Sequence, residues 1–301
     1  MMHVLVVRLG AMGDVLHALP GVASLKRITG AHVTWAIDPK WSVLLDGNPN
    51  VDEILPFNRH SWTSVGEAFR LLRTRHFDVA VDFQGLIKSA LVAWSSGAGE
   101  IVGYANTREF AAGLFYTKRV DTTAAHIVDQ HLDLALAAGA PYRLVEFDVP
   151  RGTPEGKLPE GQFVLASPLA GWKSKQWPLQ YYSELAKEVK LVINGAPSAR
   201  AELEQVRGAH LHLSGIGGLI DATRRAHAVV GVDSGPLHLA AALGKPGVAV
   251  FGPTDPARNG PYGGSIRILR APNAETTYKR GTEISESMRA IAPAQVLEAL
   301  R

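Results

Sequence analysis

The feature that most restricts the fold is an alternation, occurring twice, of strand-length apolar runs with longer segments of helical pattern. The runs fall at residues 3–9, 32–37, 51–57 and 78–83, then at 162–167, 189–194, 227–233 and 247–251. Runs that stay apolar without alternating mark strands buried on both faces, and so parallel sheets with right-handed crossovers. Between the two sets, residues 150–161 are dense in proline, glycine and polar side chains. The stretch 151–161 therefore reads as a linker. At 301 residues the chain exceeds the usual single domain and has material for two cores. The expectation is an α/β chain of two doubly wound Rossmann-like domains, 1–150 and 162–301, facing each other across a central cleft. Segment 292–301 reads as a helix, free to pack back across the hinge onto the first domain.

Composition excludes several chemistries. The chain has no cysteine, which rules out disulfide frameworks, thiolate metal sites and cysteine nucleophiles. No apolar stretch is long enough to span a bilayer, and residues 3–9 lack a signal-peptide cleavage pattern. The expected location is cytoplasmic. A net charge of +3 is too small to argue for nucleic acid as a partner. No cluster of carboxylates or histidines has metal-ligand spacing, so neither a metal nor another cofactor is expected.

Two loops carry chemistry. Val232-Asp233-Ser234-Gly235-Pro236-Leu237-His238 reads as strand, tight turn and helix, with Ser234 as N-cap and Gly244 as the stop. The unpaired N–H groups of such a helix start suit a phosphate or diphosphate. Gly235 would let the anion approach the backbone, and His238 would share a face with Ser234. An ordinary helix cap with a packed histidine fits the same residues. Asp233 lacks the partner of a metal-binding Asp-x-Asp, because Gly231 stands there.

The second loop, Gly10-Ala11-Met12-Gly13-Asp14-Val15-Leu16-His17, follows the first strand at the edge where open α/β sheets bind ligands. Asp14 would open the next helical turn, either as a catalytic carboxylate or as a cap. Pro20 suggests a short turn and then a helix to about Arg27. Asp38 stands where a ribose-binding acid would sit in a dinucleotide site. However, the loop has only Gly-x-x-Gly, and Asp14 would repel a diphosphate there.

These residues also carry a resemblance. Residues 8–17 resemble the amino-terminal signature of the lipopolysaccharide heptosyltransferases, glycosyltransferase family nine. So do Asp82-Phe83-Gln84-Gly85-Leu86-Ile87-Lys88-Ser89-Ala90, Lys175-Gln176-Trp177-Pro178, Asn194-Gly195-Ala196-Pro197, residues 232–238 and residues 251–256. The matches run in order over nearly the whole chain, and two of them are most similar to the branch that adds the first heptose of the inner core. The resemblance implies a GT-B fold and inverting, metal-independent transfer from ADP-heptose to a Kdo residue of lipid A. It implies Asp14 as general base, with Gly13, Ala170, Gly171, Lys175, Asp233, Ser234, Gly235 and His238 at the donor.

In that role Lys175 would neutralise the donor diphosphate, and its removal would leave the ligand-free melting point nearly unchanged. The chain departs from the family in two places. Where the branch carries threonines, only the backbone of Ala170 and Gly171 is offered, with Lys173 and Lys175 for charge. Ser198-Ala199-Arg200 replaces an acidic nucleoside contact that Glu202 could supply. An anionic glycolipid acceptor calls for cations on the first domain. Lys88, Arg108 and Arg59 lead, and His60, Trp62, Arg70, Arg73, Arg75, His76, Lys118 and Arg119 extend the face among apolar residues. That combination suits an anionic membrane surface, with the chain peripheral on the inner face of the inner membrane.

Overall fold

A computed structural model describes residues 1–58, 62–277 and 279–301, the side chains of residues 28 and 62–65 excepted. The chain divides into two compact units, Met1–Pro150 and Arg151–Arg301.

The first unit carries β1 (His3–Val7), α1 (Met12–Thr29), β2 (His32–Ile37), β3 (Glu53–Pro56), α2 (Trp62–Arg73) and β4 (Val79–Asp82). It continues with α3 (Ile87–Ser95), β5 (Glu100–Tyr104), β6 (Lys118–Val120) and α4 (Ile127–Ala137). Its six strands are all parallel, in the order β3-β2-β1-β4-β5-β6.

The second unit carries β7 (Val164–Ser167), α5 (Leu179–Leu185), β8 (Leu191–Gly195), α6 (Arg200–Leu203), β9 (His210–Leu213) and α7 (Ile216–Arg225). After these come β10 (Ala228–Val232), α8 (Gly235–Ala242), β11 (Gly247–Phe251), α9 (Pro256–Asn259), β12 (Ile266–Arg270), α10 (Glu286–Arg289) and α11 (Pro293–Leu300). Its sheet, also parallel, runs β12-β11-β10-β7-β8-β9, the same winding as the first. Both orders place a topological switch point beside the first strand of the unit, where open sheets bind ligands at the carboxyl ends of their strands.

Seven of the eight apolar runs become inner strands, covered on both faces, and the run at 51–57 becomes the edge strand β3. Val4, Leu5, Val6 and Val7 are fully buried, as are Val248, Ala249, Val250 and Phe251. The Trp177 indole is fully buried too, and its N–H donates to the Ile291 carbonyl at 2.9 Å. The Lys-Gln-Trp-Pro run thus doubles as a core anchor for the closing segment. Helix α11 packs on α5 and β11 within its own unit.

Three expectations are corrected. Pro20 does not delay the helix, because α1 runs unbroken through it from Met12 to Thr29. An interior proline costs about 3 kcal/mol, but α1 buries Val15, Leu16, Leu19, Val22 and Leu25, each contributing about 1.5–3 kcal/mol. Segment 151–161 is a strap bonded to the second unit rather than a loose linker. The Glu155 carboxylate accepts from the Gly215 and Gly218 N–H groups at the start of α7, at 2.6 and 2.9 Å. Thr153 N–H donates to Gly217, and the His210 and His212 rings reach the Lys157 and Glu155 carbonyls. Finally, four strands are present beyond the expected eight: β5, β6, β9 and β12.

Candidate active site

In the first unit the loop after β1 is built around a buried cation. Arg8 is 3 % exposed, and its guanidinium lies 2.6 Å from Asp14 Oδ1 while donating to the Phe83 carbonyl. Asp14 Oδ2 accepts from the Ala11 N–H at 2.9 Å, so the carboxylate caps α1 and also meets the arginine. Its side chain is still 41 % exposed, which leaves lone pairs open to a ligand. Gly10 adopts φ +149°, and a Cβ there would strike the Trp41 ring at 2.6 Å. That glycine is therefore required by the close approach of the tryptophan. His17, one turn beyond Asp14, is buried against the His126 ring.

The neighbouring turn, after β4, is organised by a buried acid. The Asp82 carboxylate accepts from the Gln84 and Gly85 N–H groups and from the Ser89 and Tyr116 hydroxyls. Burial pushes its carboxyl above the usual range, an effect these hydrogen bonds oppose. Gln84 in turn accepts from the Leu9 N–H at 3.0 Å, tying the two loops together.

Exposed Lys88 stands at the start of α3, and Arg108 follows β5. The Glu109 carboxylate takes the Ile87 N–H at 2.8 Å, which brings the loops bearing Lys88 and Arg108 side by side. Arg59 and His60 lie outside the described residues, as does the side chain of Trp62. Arg75 is held by Glu53 at the start of β3, and His76 lies 3.2 Å from Asp78, just before β4. These two occupy the amino edge of the sheet, opposite Asp14. The expected basic face is therefore split, because a parallel sheet sends the ends of its strands to opposite edges.

In the second unit Lys175, Asp233 and His238 converge. Lys175 Nζ lies 2.5 Å from Asp233 Oδ2 and 4.3 Å from the Trp172 ring centroid, while His238 Nε2 lies 3.5 Å from Asp233 Oδ1. Asp233 is 8 % exposed. Burial pushes its carboxyl up, but His238 and Lys175 together outweigh burial and hold it far below the usual carboxylate range. Lys175 is thus an ion-pair partner in this state, which argues against the expectation that its removal leaves the ligand-free melting point nearly unchanged.

The start of α8 is leaner in donors than expected. Pro236 has no N–H, and the Leu237 and His238 N–H groups donate to the Ser234 carbonyl. Gly235 remains as the open donor of the first turn. Ser234 holds the N-cap position, yet its hydroxyl makes no capping bond and, among the described residues, has no partner, and the same holds for the buried Thr254 and Ser174 hydroxyls. Gly244, at φ +65°, terminates α8 as expected. Lys173 and Glu202 pair with each other at 2.9 Å. Among the described residues the Ala170 and Gly171 N–H groups have no protein acceptor, and a Cβ on Gly171 would meet open space.

Beside these residues lies a pocket of about 280 Å³ at the carboxyl ends of β7, β8 and β9. It is lined by Ser167, Leu169, Asn194, Gly195, Ser214, Ile216 and Pro236 among others. Asn194 is fixed by its amide nitrogen, which reaches the His212 ring and the Ser214 hydroxyl, both at 2.9 Å. An apolar slot with a few fixed polar groups suits a nucleoside. Among the described residues no group of three or more histidines or carboxylates stands where it could hold a metal ion. No helix there is long and apolar enough to cross a membrane.

The residue that sequence reasoning missed is Arg8. Its signal was a charge at the end of a buried apolar run, a placement that demands a partner.

Comparison with known proteins gives the family. Residues 65–288 match the model of glycosyltransferase family 9 (heptosyltransferase). Lipopolysaccharide heptosyltransferase 1 of Escherichia coli O18:K1:H7 is 27 % identical, covering 95 % of this chain and 96 % of its own length. The Pseudomonas aeruginosa protein of the same name is 28 % identical over 88 % of this chain and 82 % of its own. The solved structure of E. coli heptosyltransferase WaaC with ADP is 25 % identical, with a TM-score of 0.79 over 99 % of this chain and 98 % of that one. Two doubly wound Rossmann-like units of this kind make the GT-B fold, and the chain belongs to glycosyltransferase family 9, the heptosyltransferases.

Proposed function

We propose that this chain is a lipopolysaccharide core heptosyltransferase, transferring heptose from ADP-heptose to a Kdo residue of lipid A with inversion and without a metal. The observation that carries the reading is the pairing of chemistries at the two carboxyl edges. One unit offers a half-exposed carboxylate, Asp14. The other offers the Lys175 ammonium, paired with Asp233 and next to His238, beside a nucleoside-sized pocket. The relatives named above are heptosyltransferases, one of them solved with ADP, which supports the donor class.

In this reading Asp14 takes the proton of the acceptor hydroxyl as that oxygen bonds to the anomeric carbon. The bond from that carbon to the diphosphate oxygen breaks on the opposite face, and its electron pair leaves with ADP. Lys175, released from Asp233, and the Gly235 N–H meet the departing charge, so no metal is needed to neutralise it. Gly13, Ala170, Gly171 and the Ser234 hydroxyl complete the donor contacts. Lys88 and Arg108 hold the anionic acceptor, with Arg59 as a third candidate.

A membrane-facing surface fits the same acceptor. Lys88, Leu91 and Trp94 form an outward stripe at helical spacing on α3, with Trp94 52 % exposed. Phe110 and Leu114, 89 % and 68 % exposed, lie in the short helix that packs on α3. Exposed aromatic and aliphatic groups beside cations suit an anionic bilayer, and so a peripheral place at the inner face of the inner membrane.

The test is a mass-spectrometric transfer assay with ADP-heptose and Kdo-lipid A. Asp14→Asn keeps the cap and should lower turnover by about 10²–10⁴-fold, with chelator leaving wild-type turnover intact. Retained turnover in Asp14→Asn would remove the base, and a strict metal requirement would overturn the mechanism. Sedimentation with phosphatidylglycerol vesicles should decline with salt and with Trp94→Ser/Phe110→Ser; absence of binding at low salt would remove the membrane face.

A further inference from the structure

We propose that Arg8 is the positioning residue for Asp14, holding the carboxylate in register before the acceptor arrives. The proposal rests on the reading of Asp14 as the base. Its ground is that a buried guanidinium is costly unless its hydrogens are met. Among the described residues Arg8 meets them with two groups, the Phe83 carbonyl and Asp14 Oδ1. Its Nε has no partner among the described residues. A cation placed for stability alone would be better served by a fully buried acid, and Asp82 lies one residue before Phe83. Asp82 instead spends its oxygens on Ser89, Tyr116 and two backbone N–H groups. Arg8 is thus directed to the half-exposed Asp14.

Both ends of the clamp are fixed. The Arg8 N–H donates to the Ala36 carbonyl, and the Trp35 indole N–H donates to the Arg8 carbonyl at 3.1 Å. The Phe83 N–H donates to Val7, and the following turn is held by Asp82 and by the bond from Leu9 to Gln84. The guanidinium therefore projects from one anchored strand end, rests on another and grips Oδ1. The Ala11 N–H grips Oδ2. With both oxygens held, the carboxylate cannot rotate, and its outer lone pairs face solvent. A planar fork can reach the Phe83 carbonyl and Asp14 at once; a lysine ammonium is a point charge on a more flexible stem.

The experiment uses the full chain and reads kcat, both KM values and Tm for Arg8→Lys and Arg8→Met, each also combined with Asp14→Asn. Arg8→Lys should fold and bind ADP-heptose with unchanged KM while kcat falls about 10–100-fold, the cost of a base misplaced by about 1 Å. Arg8→Met should fall further, with the lysine variant a partial rescue. In the Asp14→Asn background neither change should lower kcat again, because the group it positions is gone. Wild-type kcat in Arg8→Lys would overturn the proposal, and so would losses that multiply fully with Asp14→Asn. Full activity in Asp14→Asn alone would instead fell the reading of Asp14, and the positioning role with it.

Discussion

Replacing Lys175 by methionine tests whether the cluster at the end of β10 is held by its charges. The change keeps an aliphatic side chain of similar reach and removes the ammonium, which also stands 4.3 Å from the Trp172 ring centroid. It leaves Asp233, 8 % exposed, without the partner that stood 2.5 Å away. Breaking a buried pair by removing one partner costs about 3–5 kcal/mol. Here His238 stays 3.5 Å from the other oxygen and the Lys175 side chain is already 16 % exposed, which favours about 2–3 kcal/mol. At about 2–4 °C per kcal/mol for a domain of this size, Tm of the ligand-free protein should fall by about 5–10 °C.

Asp233→Asn should cost less, because the freed ammonium can turn towards water. The double variant should be less destabilised than the sum of the two, by about 1–3 kcal/mol. The pH dependence follows from the depressed Asp233 carboxyl. The contribution is present above the unfolded value, about pH 3.9, and is lost only as pH falls through the lower folded value. The gap between wild type and Lys175→Met should therefore persist from about pH 8 to 5. Calorimetry and urea titration measure it. A Tm change below about 1 °C, or strictly additive single effects, would refute the argument that charge pairing organises this turn.

Glu155→Ala removes the acceptor for two N–H groups at the start of α7, so it should cost about 1–2 kcal/mol and admit protease to the 151–161 strap. Limited proteolysis with melting curves checks it. Gly152→Ala should destabilise the same strap, because φ is +81° and a Cβ would lie 2.6 Å from the Gly217 carbonyl; an unshifted Tm would show that the strap yields. Burial, with Arg8 nearby, holds His131 well below the usual histidine range, so the folded chain refuses a proton that the unfolded chain accepts. Below about pH 6.5 this costs about 1.4 kcal/mol per pH unit, and the slope should shrink in His131→Gln as read by urea titrations at several pH values.

The inner strands were legible because burial on both faces writes itself as uninterrupted apolar sequence. The strands that escaped are different in kind. β6 (Lys-Arg-Val), β9 (His-Leu-His-Leu) and β12 (Ile-Arg-Ile-Leu-Arg) are edge strands whose polar side chains break up the pattern; most of these lie towards water, whereas His212 is buried against Asn194 and the Glu155 carbonyl. β5 lies inside its sheet, but it opens on a glutamate and carries Gly103, where the Tyr116 ring fills the space of a Cβ. Pro20 misled because propensity is local, whereas the burial that outweighs it is tertiary. Both strand–turn–helix loops could be read, since their glycines and caps are local signals. Their occupancy could not: nothing in the sequence says that two of the N–H groups opening α8 already have acceptors.

The paired cations of the two units escaped the sequence because strand order supplies a partner to each. Lys175 and Asp233 are 58 residues apart, and although Asp14 lies near Arg8 in the chain, the Phe83 carbonyl that also holds the guanidinium is 75 residues away. A charge whose partners are that distant reads as solitary, and a solitary lysine or arginine is usually a solvated one. What joins them is strand order. In the first unit β1 lies beside β4, so the residue ending β1 meets the turn that ends β4. In the second, β7 lies beside β10, so the loop after β7 meets the turn after β10. These are equivalent places, the switch points of two identically wound sheets, where the connections leave in opposite directions and open a crevice. A cation lodged there by the winding has a carboxylate within reach in both units. Their exposures differ: Asp14 is 41 % exposed and Asp233 8 %. The same topology thus yields an accessible carboxylate, which the proposed mechanism uses to take a proton, and an enclosed one that in the same proposal gives up its cation to an incoming anion.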